Sequence, residues 1–116
     1  MSVKTLEINV ERLKFVREQD GVPEQKLKQA FIRFLSHSGA AKAAYLAVVE
    51  YPQLNRRVSL CVRAEPNCDP KKLVEDLGQI FVGNFGTREQ LDIIFTTEDQ
   101  ESELKDVCKP FFTRNQ

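Results

Sequence analysis

Apolar and polar residues alternate along this chain with two different periods, and one stretch escapes both. Ala43-Ala44-Tyr45-Leu46-Ala47-Val48-Val49 is the one long run without a charge or a breaker. Ala43, Tyr45, Ala47 and Val49 share one parity, and Ala44, Leu46 and Val48 share the other. A strand apolar on both parities needs cover on both sides, so this run predicts the central strand of a sheet. Before it, Thr5 to Val10 alternates, with Leu6, Ile8 and Val10 set against Glu7 and Asn9, as in a half-buried strand. Glu11 to Asp20 is polar apart from Leu13, Phe15 and Val16, and reads either as an extension of that strand or as a covering loop. Gly21 breaks it, and Pro23 suits the first turn of a helix. Glu24 to Ser38 then places Leu27, Phe31, Phe34 and Leu35 on one helical stripe, with Gly39 as the residue that ends the helix.

The central strand stops at Tyr51-Pro52, because proline cannot donate to a ladder. After a short connector, Arg57 to Glu65 alternates. Val58, Leu60, Val62 and Ala64 point inward, while Arg57, Ser59, Cys61 and Arg63 point outward. The short link predicts an antiparallel hairpin, and the outward face of its second strand is expected to meet water or a partner. Asp69 and Pro70 start a second helix as N-cap and first helical residue, and Leu73, Leu77, Ile80 and Phe81 form its apolar stripe. Gln90 to Thr97 reads as a further strand. Glu98 to Asp106 reads as a short helix with Leu104 and Val107 inward, followed by Pro110-Phe111-Phe112 in a C-terminal tail. The chain is therefore expected to be one α+β domain, residues 1–116, in βαββαβ order. Its antiparallel sheet would carry the helices on one face. A ferredoxin-like sandwich is the first arrangement that this order suggests, and a mixed sheet with another strand order is the second.

Composition narrows the function more than it identifies it. The 116 residues are 41% apolar and 29% charged, as in a globular domain. Lysine plus arginine equals aspartate plus glutamate, 17 against 17. The chain thus lacks the positive excess on which nucleic-acid binding draws, and Arg56-Arg57 and Lys71-Lys72 extend into no longer run. No stretch reaches the length of a membrane span, and the first ten residues lack the apolar core of a secretory signal. Cys61, Cys68 and Cys108, an odd count without CxxC spacing, suggest a reduced cytoplasmic protein.

No catalytic, cofactor-binding or metal-ligating set emerges, so a non-enzymatic role is expected. His37, the single histidine, sits near a helix end, where its cation is favoured. Asp69, Glu75, Asp76, Asp92 and Asp99 fit no metal loop, and Gly39, Gly83 and Gly86 form no phosphate cradle. Cys68 precedes a helix N-terminus, which makes it either the reactive thiol of the three or a bystander. Phe111 and Phe112 either pin the tail to the sheet or anchor a partner. Tyr51, Arg57 and Arg63 complete the candidate interaction residues, for a protein partner or for self-association at a sheet edge.

Three of these features together carry a resemblance. Pro23 at a helix start, Ala44-Tyr45-Leu46-Ala47 in the following strand and Pro110-Phe111-Phe112-x-Arg114 near the end resemble the C-terminal domain of the enhanced serine sensitivity protein SseB. The resemblance runs from about Leu6 to Arg114, with Phe112 where that family usually has tyrosine. It implies a stand-alone version of a bacterial, cytoplasmic domain with little assigned chemistry. Its name points to an alternative role: binding an amino acid or similar small molecule linked to serine metabolism.

Overall fold

In the computed structural model, which describes residues 3–6, 13–51, 56–86 and 91–114, the chain runs through nine elements. They are β1 (Val3–Leu6), β2 (Lys14–Glu18), α1 (Val22–Ser38), β3 (Ala41–Glu50), β4 (Arg56–Ala64), α2 (Pro70–Phe85), β5 (Leu91–Phe95), α3 (Glu98–Lys105) and β6 (Phe112–Thr113). The expected continuation of the first strand through Ile8 and Val10 lies outside the described residues, as does the connector 52–55.

The uncharged run is β3, and it is covered on both faces. Ala44 and Leu46 meet Leu27, Phe31 and Leu35 of α1 and Leu73, Leu77 and Phe81 of α2. Ala43, Tyr45, Ala47 and Val49 meet Phe15 of β2, Cys61 of β4, Ile94 of β5, Leu104 of α3 and Cys108. Each fully buried large aliphatic or aromatic side chain contributes roughly 1.5–3 kcal/mol by leaving water, so the two layers share the stabilisation of one sheet. Ala41 lies in the first layer although its parity matches Ala43 in the second. A register shift between Ala41 and Ala43 explains it: the extra residue, Lys42, turns the strand by one position and leaves its own side chain exposed.

The sheet is mostly antiparallel in kind but mixed in detail. Its order is β1-β5-β4-β3-β2, with β6 also paired to β3. The β3–β4 hairpin is antiparallel as expected, and so are β2–β3 and β3–β6. β4–β5 and β1–β5 are parallel. The physical reason is α2, which carries the chain back along the sheet so that β5 starts at the same end as β4. In a split βαβ unit a third strand separates the two parallel strands, whereas here β4 and β5 are hydrogen-bonded neighbours. The structure is thus the mixed sheet of the two arrangements left open by the sequence.

Glu11 to Asp20 resolves into an added strand at β2. The predicted helix boundaries hold. Asp69 caps α2 by accepting from Lys72 N–H (3.3 Å), with Pro70 in the first turn. Gly39 ends α1 at φ 69°, a left-handed conformation that favours glycine. α1 and α2 cover one face as expected, while α3 covers the other. α3 starts with a capping box, in which Thr97 Oγ1 accepts from Gln100 N–H and Gln100 Oε1 accepts from Thr97 N–H. Leu104 is fully buried beneath it, but Val107 is 38% exposed, contrary to the expected inward placement. The helix has already ended at Lys105, and Cys108 takes the core position instead. No helix among the described residues is long and apolar enough to cross a membrane.

Candidate functional site

The outward parity of β4 is not an open face. α3 and the end of β3 close over it, and small polar residues there are satisfied internally. Ser59 Oγ shares a 2.6 Å hydrogen bond with the hydroxyl of Tyr51, and both residues are buried. Arg57 Nε lies 3.0 Å from a carboxylate oxygen of the buried Asp92. Arg63 Nε donates to Glu101 Oε1 (2.9 Å), while the Tyr45 hydroxyl donates to Glu101 Oε2 (2.6 Å). One carboxylate from α3 therefore ties β3 and β4 together from above. Burial first, then the Glu101 carboxylate, pushes the Tyr45 phenol well above the ordinary tyrosine range. Burial does the same for Tyr51. Both phenols stay protonated as hydrogen-bond donors or partners.

The thiols are equally quiet. Cys61 is fully buried, and burial raises its pKa far above the free-thiol value. Cys108 is pushed up to about 12, by burial first and then by the Glu18 carboxylate. Cys68, which the sequence leaves as either the reactive thiol or a bystander, lies just before the cap of α2. Its pKa is raised, by burial and then by the adjoining Asp69 carboxylate, the same group that caps the helix. A negative cap beside a thiol disfavours a second negative charge, which adds to the effect of burial. His37 Nδ1 is bonded to the Arg33 carbonyl at 2.8 Å. Among the described residues no three histidine, cysteine or acidic side chains come together as a metal site.

Phe111 and Phe112 pack inward. Phe111 stacks on Phe31, with ring centroids 6.2 Å apart. Phe112 is 9% exposed in the layer beneath α1 and α2. Arg114 Nε donates to Ala41 O (3.2 Å) and pairs with Glu65 (3.2 Å). Phe111, Phe112 and Arg114 of the Pro-Phe-Phe-x-Arg pattern are thus each tied to the body of the domain, and the phenylalanine at 112 sits in an apolar layer where a hydroxyl is not required.

Two clefts lie at the two ends of the helix pair. α1 and α2 run antiparallel, because the start of α1 and the end of α2 share one cleft and their other ends share a second. The first cleft, ≈ 230 Å³, has Leu27, Leu46, Phe81, Phe85 and Leu91 in its walls and Pro23 and Glu24 at its mouth. A second hollow of ≈ 250 Å³ adjoins it across Pro23 and Phe85 and adds Val22, Lys26 and Asn84. Val22 is 74% exposed, the largest exposure of any big apolar residue described. The cleft at the opposite end, ≈ 410 Å³, is more polar: Ser38, Asp69, Lys72 and Asp76 line it beside Phe34, Leu73 and Cys68.

Sequence reasoning did not bring Val22 and Phe85 together, since they come from opposite ends of two different helices. The available signal was that Val22 is apolar yet lies off the Leu27–Phe31–Leu35 stripe. Comparison with curated proteins and with solved structures finds no match. The family model of the SseB protein C-terminal domain matches residues 17–114, from β2 through the Arg114 anchor, and the chain belongs to that family.

Proposed function

We propose that the domain is a non-enzymatic interaction module that docks a protein partner at the end of the helix pair where α1 begins and α2 finishes. One observation carries this reading: an open apolar hollow walled by Leu27, Phe81 and Phe85 continues into a second hollow rimmed by the exposed Val22. Leu27 and Phe81 are themselves buried, so the surface offered is the exposed Val22 at the rim with the partly covered Phe85 beside it, which suits an apolar side chain of a partner. The groove lies between two antiparallel helices, so an amphipathic helix that presents one apolar face is the fitting occupant. The reading places the domain in the cytoplasm, where its three free thiols stay reduced.

Val22→Asp tests it cleanly. An acidic residue in the first helical turn is favoured by the helix dipole, so stability should stay within about 0.5 kcal/mol of the parent. The immobilised parent domain should retain from its source cells a protein that the Val22→Asp domain loses. Equal retention by both would reject this surface.

A second reading, binding of a free amino acid, is favoured by the opposite cleft. Both signs of charge, from Lys72, Asp69 and Asp76, line one ≈ 410 Å³ space, which suits a zwitterion. The expected result is a rise in thermal midpoint with one amino acid, serine among those tried, that saturates with concentration. Flat midpoints across the set at millimolar ligand would remove this reading.

A further inference from the structure

The segment after α3 crosses from one core layer to the other. Cys108 is buried with Leu104 and Tyr45 on the α3 side, and Phe112 is buried on the side of α1 and α2. Between them the chain passes over the outer edge of β3, where it is seated as an added strand. β6 pairs antiparallel with Ala43 and Ala44. Phe111 N–H donates to Ala44 O and Arg114 N–H to Lys42 O, each at 2.9 Å. β2 takes the remainder of the same edge, from Ala47 to Glu50. Backbone bonds with side chains pointing alternately into the core and outward are how extended peptides are recognised at sheet edges. The strap is therefore held like a ligand, with only Lys109 and Pro110 between the seated Cys108 and the seated Phe111. Pro110 fixes its own φ and biases Lys109 to an extended backbone, so this hinge contains no turn that opening would destroy.

We infer that this strap is exchangeable between copies of the chain: residues 109–114 of a second copy seat on β3 of the first, and reciprocally. The occupant is specified by the seat itself. Phe112 fills the core hollow, Phe111 lies on Phe31, and Arg114 reaches Glu65 and Ala41 O. Exchange remakes each of these contacts between chains, so its main cost is the entropy of association. A two-residue hinge spans roughly 7 Å, so the two β3 edges must lie side by side in the dimer. A short tether gives the intramolecular strap an effective concentration in the millimolar range, so exchange becomes visible as the chain approaches about 1 mM. The inference stands apart from the groove at Val22 and does not depend on it.

Ala43 and Thr113 are directly opposite, and the bond from Arg114 N–H to Lys42 O flanks them, which makes them a non-hydrogen-bonded pair with close side chains. A disulfide fits such a pair. Two full chains, each carrying Cys68→Ser, are mixed under mild oxidation at about 1 mM, one with Ala43→Cys and the other with Thr113→Cys. Exchange gives a covalent heterodimer more than about tenfold above a control in which the second chain carries Lys71→Cys, an exposed position on α2 far along the chain from the strap. A heterodimer no more abundant than that control overturns the inference. Light scattering on the unsubstituted chain is the check that uses neither cysteine: a dimer fraction that grows with concentration is expected, and a strict monomer at about 1 mM also overturns it.

Discussion

Truncation after Lys109 should unfold most of the population. It removes Phe112 from a layer where it is 9% exposed, Phe111 from its stack on Phe31, and the Arg114–Glu65 pair. Loss of a buried phenylalanine alone costs about 3–5 kcal/mol, and loss of an aromatic stack adds about 0.5–1.5 kcal/mol. Domains of this size hold roughly 5–15 kcal/mol in total. The outer edge of β3 from Lys42 to Ala44 would also lose its hydrogen-bonding partner. Urea unfolding followed by circular dichroism measures the effect. A truncated chain whose stability lies within about 1 kcal/mol of the parent would show that the strap is an accessory and that neither phenylalanine belongs to the core.

The second large effect is expected at Glu101. Its carboxylate accepts from Tyr45 and Arg63 at once and is the polar link between α3 and the sheet. Glu101→Ala leaves a buried phenol and a mostly covered guanidinium without their acceptor, which costs about 3–5 kcal/mol for a buried pair broken from one side. Tyr45→Phe removes one hydrogen bond and should cost about 1–2 kcal/mol. The double substitution should cost less than the sum of the two, because the phenol is no longer stranded once it is gone. Additive losses in a double-mutant cycle would show that the contact between Tyr45 and Glu101 contributes nothing to stability.

How much of this was legible beforehand depends on how each residue states its environment. β3 was legible because seven consecutive uncharged residues leave no face for water. The helix boundaries were legible because Asp69-Pro70 and Gly39 have local physical reasons that tertiary structure rarely overrides. The cover on β4's outward face was not. Ser59, Cys61 and Arg63 look like solvent-facing residues, and their burial depends on Tyr51 and Glu101, which are distant or of ambiguous parity. α3 itself was expected, with Leu104 inward, but where it lies was not, since one leucine in eight residues makes a stripe too weak to name the face it covers. The bulge at Lys42 was invisible to strict alternation, because it reverses which alanines face which layer. Parallel pairing of β5 was likewise hidden, since alternation marks a strand and says nothing of its direction. The groove at Val22 is a product of the helix pair and belongs to no single stretch of sequence.

The parallel pairing of β1 with β5 has a consequence during synthesis. Val3 to Leu6 leave the ribosome well ahead of their partners, Leu91 to Ile94, which follow 88 residues later (91 minus 3). At translation rates of about 5–20 residues per second, that segment waits on the order of ten seconds without a neighbour. During this interval the backbone N–H and C=O groups that β5 will engage stand open to any extended chain alongside, a cost that an antiparallel hairpin such as β3–β4 does not carry.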